Sequence, residues 1–505
     1  MKSVTTGSEE AGARSASYLQ IVKSTALIGG SSIVNIVFAV IRNKVIAVLL
    51  GPEGVGLMGL YNSIADLAQT LAGLGVQASG VRQVAEAAGT NEAERIARTG
   101  IVLNRVSIVL GVLGMLLLAA FALPVAELTF EDRNHTAGVV LLSAAVLLRI
   151  ISAGQTALIQ GLRRIGDLAR ITMWGAFWNT VVCVPIILVW RQEGVVPTIL
   201  AMAFTTLAVS WWYSRRVEIV PVHVTARETR QETAVLLKLG FAFMGSAFLS
   251  VGAAYAIRII VLRLDGIEAA GLYQAAWSIG GLYAGFILQA MGADFYPRLT
   301  AVHNDNDACN RLVNEQTQIS ILLAGPGLIA TLTVAPLLMT VLYSSEFHAA
   351  VDLLRWICLG MMLRIVAWPI GYIVLAKGAR WIFLFTEIAA TVVHVGLAWF
   401  LVGQFGLVGA GIAFFGLYVW HGVLIYWISR RLSGFRWSGV NMMLAMAYLL
   451  AAALVLSAFY MLPPWQATAV GTLVVIVACF SSLRMLLKLL PREKLPLGRW
   501  LPQWV

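Results

Sequence analysis

The chain has 505 residues, of which 59% are hydrophobic and only 12% charged, with a formal net charge of +11. A soluble protein of this length carries about a quarter charged residues, so the composition excludes a soluble globular enzyme. It predicts an all-α polytopic membrane protein; β-spans are excluded because the apolar runs are continuous rather than alternating.

Residues 1–20 read as a cytoplasmic N-terminal tail, since the first ~18 residues are polar and carry no signal-peptide pattern. Apolar runs of about 20 residues, each enough for one helical crossing, then follow in series. Six lie near 21–46, 55–79, 100–122, 138–160, 171–190 and 196–213, forming an N-terminal lobe over 21–213. A polar connector at 214–238 is expected to be a cytoplasmic inter-lobe linker. Six more runs lie near 239–262, 269–293, 316–342, 351–375, 381–402 and 407–428, forming a second lobe over 239–428. An extra pair, 440–461 and 467–488, and a cytoplasmic tail at 489–505 complete about fourteen expected spans.

The basic residues orient this array. With the N-terminus inside, cytoplasmic segments and their edges hold 27 of the 36 Lys and Arg, including Arg163, Arg164, Arg215, Arg216, Arg430, Arg431, Arg492, Lys494 and Arg499. The outer loops hold two, Arg133 and Arg191. The positive charge is therefore mostly a topology signal, serves anionic lipid headgroups and calls for no nucleic acid. Cys183, Cys309, Cys358 and Cys479 are scattered, with no CxxC spacing and no expected disulfide.

The two lobes are written in related words. GPEGVGLMGLYNSIADL at 51–67 matches GIEAAGLYQAAWSIGGL at 266–282 in seven positions at an offset of 215: Gly51/Gly266, Glu53/Glu268, Gly56/Gly271, Leu57/Leu272, Ser63/Ser278, Ile64/Ile279 and Leu67/Leu282. Leu148-Arg149-Ile150 recurs as Leu363-Arg364-Ile365, and Trp212, Ser214, Arg215 and Arg216 recur as Trp427, Ser429, Arg430 and Arg431, at the same offset. A looser echo, QGLRR at 160–164 and AKGAR at 376–380, slips by two. Chance matches between apolar helices do not hold one register over such a length. Six spans is an even number, so both copies cross in the same sense and their axis lies along the membrane normal. Halves of that kind rock around a midplane site in many transporters. The repeated glycines suit a sharp turn between the first two spans of each copy.

Seven basic residues fall within or at the edge of spans: Arg42, Lys44, Arg149, Arg258, Arg263, Arg355 and Arg364. A charge in the bilayer costs at least about 2.5–3.5 kcal/mol on insertion scales, so it faces a cavity or a partner. Asp352 and Arg355 read as a plain intrahelical pair. The other six come in sets, one per lobe, with Arg149 and Arg364 as exact mates. Snorkelling to headgroups is the competing reading for Arg42, Lys44 and Arg263. Asp66 and Glu387, the remaining acids in spans, serve charge balance; Glu387 with His394 also suggests a proton relay. The positive excess suits an anionic cargo, and the planar guanidinium matches phosphate. Pro185, Pro326, Pro336, Pro369 and the run Gly29-Gly30-Ser31-Ser32 mark expected kinks. Trp174, Trp178, Tyr255 and Tyr273 read as interface anchors, with sugar stacking as the sharper alternative.

Several stretches resemble a known family. RNKVIAVLLGPEGVGLMGLYNSIADL at 42–67, LIQGLRRIGDLAR at 158–170, YIVLAKGARWIFLFTEI at 372–388 and FGLVGAGIAFFGLYV at 405–419 are similar to polysaccharide-unit flippases of the Wzx type. These belong to the multidrug/oligosaccharidyl-lipid/polysaccharide exporter superfamily. The resemblance runs through spans one to twelve and is closest to O-antigen and enterobacterial common antigen translocases. It implies two six-helix lobes forming a V in a bacterial inner membrane. It implies an undecaprenyl-diphosphate-linked oligosaccharide as cargo, moved to the outer leaflet for lipopolysaccharide or related polysaccharide synthesis. A polysaccharide polymerase and a chain-length regulator are expected partners, and no cofactor or metal is expected, because the sequence holds no His/Cys metal cluster, no phosphate-binding Gly loop followed by Lys and no nucleophile elbow. Basic residues of helices one, seven and ten line the cavity in such relatives; Lys44, Arg263 and Arg364 match those positions. The last two spans depart from twelve-span relatives.

Two other classes compete. A cation-coupled drug exporter of the same superfamily should have a predominantly acidic cavity, whereas the balance here is basic. A membrane polymerase, ligase or glycosyltransferase should carry a large outer loop or an acidic metal motif. The only DxD pattern is Asp305-Asn306-Asp307, in a short connector.

Overall fold

The computed structural model describes residues 5–89, 92–217, 222, 224–291 and 295–489. Among these, every regular element is helical. In hydrocarbon no water is available for backbone groups, and a helix satisfies them within one segment. In chain order the α-helices are α1 (Thr5–Gly73), α2 (Val76–Gly89), α3 (Ala93–Ala120), α4 (Ala122–Phe130), α5 (Thr136–Gly161), α6 (Ile165–Trp190), α7 (Val195–Ser214), α8 (Ala226–Ala290), α9 (Tyr296–Ala301), α10 (Asn306–Thr333), α11 (Ala335–Leu342), α12 (Val351–Ala376), α13 (Arg380–Phe405), α14 (Leu407–Ser433), α15 (Gly439–Met461) and α16 (Pro464–Leu489).

Ten runs are long and apolar enough to cross a membrane, or eleven if α10 and α11, bent by 78°, count as one. Three of the ten, Gly30–Gly73, Ile165–Ser214 and Phe243–Leu282, each contain two helical segments. Divided there, the ten runs give thirteen helical segments, and the bent pair α10–α11 gives a fourteenth. The expected tail at 1–20 is helical from Thr5 onward. Residues 490–505, with Arg492, Lys494 and Arg499, lie outside the described residues.

The breaks inside α1 and α8 sit at repeat mates. Gly51 has φ 65° and ψ −170°; Gly266 has φ 87° and ψ 177°. That region is open essentially to glycine alone, which explains why both copies keep the residue. The repeat extends further than shared letters. α5 becomes α12 and α6 becomes α13 on adding 215 to both ends, Thr136 to Val351 and Gly161 to Ala376, Ile165 to Arg380 and Trp190 to Phe405. The turn at 162–164 recurs at 377–379 with the same backbone bonds: Arg164 N–H donates to the Ile159 carbonyl, and Ala379 N–H to that of Val374, both at 3.1 Å. Arg163 and Gly378 share a positive φ, 53° and 69°, as do Arg191 and Gly406, 49° and 58°. The true register of QGLRR and AKGAR is thus 215, and the two-residue slip suggested by their letters is corrected. At the ends of α7 and α14 the recurring pair is a contact, with Arg216 over Trp212 at 5.2 Å and Arg431 over Trp427 at 3.7 Å.

The expected kinks are only partly found. α1 continues through 29–32 and breaks at Gly51 instead. Pro185, Pro326 and Pro369 lie inside α6, α10 and α12, whose assignments run through them. Pro336 sits in the first turn of α11, beyond the 78° bend, where a missing N–H costs nothing.

The chain divides into two compact units, Met1–Tyr255 and Ala256–Val505; the 214–238 connector falls within the first. In the first, α5 is central, packing on α3, α7 and α2, while α1 packs on α6. In the second, α12 takes the equivalent place between α10 and α14, with α13 against α14. The extra pair α15–α16 docks on α10. Tyr448 of α15 lies against Gly325 of α10, where an added Cβ would come within 2.5 Å of the ring, and its hydroxyl bonds that of Ser482 on α16. Asn441 of α15 donates to the Asn314 carbonyl of α10 at 2.8 Å.

Candidate functional site

The six cations expected to bind an anion fall three to each unit. In the first, Arg149 stands near the middle of α5 and is claimed from α1: Nη1 donates to Asp66 Oδ1 at 2.8 Å and Nη2 to Asn62 Oδ1 at 2.7 Å. Asp66 and Asn62 are one turn apart, so both reach the same guanidinium. Arg42 lies within electrostatic reach of Cys183 on α6, and Lys44 is half-buried in α1. Asp66 is thus paired with the first of the two arginine mates.

In the second unit, Arg258 donates from Nε to Gln274 Oε1 at 3.0 Å, across the Gly266 break. Arg263 is exposed, three residues before that break, in keeping with the headgroup reading. Arg364 is different. It occupies the place in α12 that Arg149 has in α5, but the mates of Asn62 and Asp66 are Trp277 and Gly281. The amide and the acid have both been replaced. Instead the guanidinium lies over Trp368 at 4.7 Å and 5.9 Å from the Tyr418 ring centroid. Its Nε is buried without a hydrogen-bond partner. Aromatic faces hold a cation in place without discharging it, so this guanidinium keeps its charge and its donors for something else.

Glu387 and His394 of α13 and His421 of α14 all lie within electrostatic reach of Arg364. His394 packs on Phe414 at 5.8 Å, and His421 on Tyr418 at 5.8 Å with Nδ1 buried and unbonded. The structure thus joins three residues singled out from sequence and adds His421. Its signal was the repeat: the mates of Glu387, His394 and His421 are Thr172, Asn179 and Thr206. In the first unit Asn179 and Thr206 bond each other, Nδ2 to Oγ1 at 3.4 Å. One copy has uncharged polar pairs where the other has titratable groups.

Other sequence candidates are structural. Arg355 pairs with Asp352 at 2.9 Å and lies over Phe459 at 3.6 Å. Tyr255 is buried and bonds Thr129 through its hydroxyl at 2.5 Å, and Tyr273 is buried beside Trp277, so neither ring is open to a sugar. Trp174 and Trp178 are exposed. Asp305 caps α10, accepting from Ala308 N–H at 2.9 Å, and Asn306 Oδ1 accepts from Lys377 Nζ at 2.5 Å. The DxD motif is a helix start tied to the turn after α12 through Lys377. Among the described residues no group of three His, Cys, Asp or Glu is placed to hold a metal.

The Asp66–Arg149 pair makes a clear prediction. Asp66→Ala leaves a three-quarters-buried arginine short of its acid, at roughly 1–3 kcal/mol, and lowers the amount of folded protein. The double variant Asp66→Ala/Arg149→Ala recovers part of that loss. Membrane levels and melting temperature of the four proteins in the cycle measure it; strictly additive losses would mean that the pair does not couple.

A cavity of about 770 Å³ in the first unit lies beside this pair, walled by α1, α2, α3, α5 and the early part of α8. The backbone contact between Gly75 and Gly240 brings α8 to this wall; an added Cβ on Gly75 would stand 2.1 Å from the Gly240 carbonyl oxygen.

The geometry can be set beside known proteins. The lipid III flippase of Escherichia coli (strain K12) is 22% identical over 444 residues, covering 82% of this chain and all of that one. Among solved structures, a multidrug resistance MATE family transporter of the MOP superfamily, in an inward-facing conformation, matches with a TM-score of 0.67 at 17% identity, covering 79% of this chain and 94% of the other. The lipid II flippase MurJ, in an inward closed conformation, matches with a TM-score of 0.66 at 11% identity, covering 91% and 99%. At these identities the solved structures establish a shared fold. The family model described as polysaccharide biosynthesis protein matches residues 21–303, more than half of the chain. This duplicated helical membrane protein belongs to that polysaccharide biosynthesis family.

Proposed function

We propose that the chain is a flippase, a transporter and not an enzyme, that moves an undecaprenyl-diphosphate-linked oligosaccharide unit between leaflets of a bacterial inner membrane. The direction is cytoplasmic to periplasmic, with both termini in the cytoplasm and the two halves alternating in access. The observation that carries this reading is Arg364: a half-buried guanidinium, held by aromatic rings, whose acid has been removed at the repeat-mate position. Such a group is suited to a diphosphate, which accepts paired hydrogen bonds from a planar fork. The likeness to a protein named lipid III flippase supports the same cargo class.

In this reading Arg42, Lys44, Arg258 and Arg263 contribute positive potential, while Arg149 is largely neutralised by Asp66. Glu387, His394 and His421 set the charge around Arg364 and are the groups through which protons would be coupled. The glycan is of the O-antigen or enterobacterial common antigen class, handed on to a polymerase and chain-length regulator. The likeness to a MATE transporter is one of fold, and a cationic-dye efflux assay on the purified protein tests the drug-exporter reading directly.

Deleting the gene in its host is the decisive test. The lipid-linked oligosaccharide should accumulate facing the cytoplasm, unpolymerised, with surface polysaccharide lost. Short units that still reach the outer face would place the protein after translocation and sink the flippase reading. Complementation with Asp305→Ala/Asp307→Ala separates the enzyme alternative further. Loss of the Asp305 cap costs about 1 kcal/mol, so export should persist with a slightly lower melting temperature, whereas a metal-dependent transferase would be dead.

A further inference from the structure

The cavity of about 770 Å³ in the first unit has a chemistry unlike the surroundings of Arg364. Its polar lining is Gln69 and Thr70 from α1, Gln77 from α2, Gln160 from α5 and Ser107 from α3, which donates to the Leu103 carbonyl of its own helix at 2.8 Å, together with Asp66. None of the lining residues is a Lys or Arg. The one carboxylate is committed to Arg149. Thr70 donates to its own helix, to the Asp66 carbonyl at 2.7 Å. The side-chain amides of Gln69, Gln77 and Gln160, in contrast, make no hydrogen bond with any described residue. Polar side chains are costly in membrane proteins and normally face a partner or a watered cavity. Three amides without a protein partner line one open space, where a ligand can meet them.

The rest of the wall fixes the ligand's character. Gly73 and Ala153 keep the space open, while Gly75 and Gly154 allow the close approach of Gly240 on α8 and Ser107 on α3; the mate of Ala153 in the second unit is Trp368, which lies beside Arg364. Phe243 of α8, 46% exposed, offers a ring face at the margin. The volume lies within the roughly 300–1,000 Å³ of small-ligand cavities. A primary amide presents two donors and a two-lone-pair acceptor without charge, the complement of a hydroxyl that both donates and accepts. A phosphate would find no uncommitted cation in the lining, since the neighbouring Arg149 is paired with Asp66, and an acyl chain would strand the amides.

We infer that this cavity is a glycan subsite, in which Gln69, Gln77 and Gln160 bind neutral sugar hydroxyls of the cargo while the diphosphate is served elsewhere by Arg364. The inference rests on the flippase reading and deepens it. Recognition is then divided: one copy of the repeat reads sugar, the other holds phosphate.

The test uses the purified full-length protein and two probes, undecaprenyl diphosphate and the lipid-linked oligosaccharide extracted from flippase-deleted cells. Affinity for each is measured by intrinsic tryptophan fluorescence. Wild type should bind the glycolipid more tightly than the bare lipid. Gln69→Ala/Gln77→Ala/Gln160→Ala should lose about tenfold in affinity for the glycolipid and none for undecaprenyl diphosphate, while Arg364→Ala weakens both. The subsite is overturned if the triple variant binds the glycolipid like wild type, if it loses both probes equally, or if wild type binds both alike. Wild type binding neither probe would overturn the flippase reading itself. Gln77 and Gln160 are exposed, so Gln77→Ala/Gln160→Ala is a fallback that folding tolerates and that should show the same selective loss.

Discussion

Arg364→Ala abolishes delivery of the oligosaccharide to the outer face while the protein stays at its normal level in the membrane. The two parts of this result have separate causes. Arg364 makes no ion pair among the described residues, and its Nε is already without a partner, so its removal breaks no hydrogen bond or ion pair, only its packing on Trp368 and Tyr418, and spares the fold. Hydrogen bonds to a charged group contribute about 1.5–3 kcal/mol each, so loss of a bidentate contact to phosphate slows transport by well over tenfold. Arg364→Lys keeps the charge but forfeits the fork and the stacking on Trp368, and restores only part of the activity. Its mate responds differently: Arg149→Ala strands Asp66 and acts mainly through protein level. Complementation of the deletion strain, with immunoblots for level, checks all three variants. Normal export by Arg364→Ala would remove the central support for the diphosphate site.

Gly75→Ala eliminates folded protein. Its φ of +65° lies where a side chain is strained, at roughly 1–3 kcal/mol. The new Cβ would also stand 2.1 Å from a backbone oxygen of Gly240, and backbone cannot rotate away as a side chain can. Gly240→Ala fails for the reciprocal reason, with its Cβ 2.3 Å from the Leu74 carbonyl oxygen. Gly166→Ala is the control, since nothing lies within 4 Å of the added atom. Membrane-fraction levels and thermal melts distinguish the three; a stable Gly75→Ala protein would show that α8 does not need this contact.

Helices and duplication were legible in the sequence because both rest on local or periodic signals. Apolar length sets a span, and a constant offset sets a repeat. The Asp352–Arg355 pair was legible for the same reason, being three residues apart on one helix. What escaped depends on contacts between distant segments. Nothing in the letters around Arg149 says that Asp66, 83 positions away, would neutralise it. The meeting of Gly75 with Gly240 is equally silent, because each glycine alone looks like any other in an apolar helix. At Pro185, Pro326 and Pro369 the helix loses one hydrogen bond, yet α6, α10 and α12 continue through them, since neighbouring helices in a bundle can re-satisfy the freed groups. His421 was recoverable, had the repeat been read for differences as well as identities.

The turns after α5 and α6 adopt a left-handed backbone in both copies, with arginine at 163 and 191 where the second copy has Gly378 and Gly406. Glycine occupies such torsions freely, whereas an arginine there stores strain of roughly 1–3 kcal/mol. That load falls entirely on the first copy. Two halves cut from one plan are therefore not equal springs. On warming, the first should loosen at its two arginine turns while the second, with glycine at the same bends, stays taut.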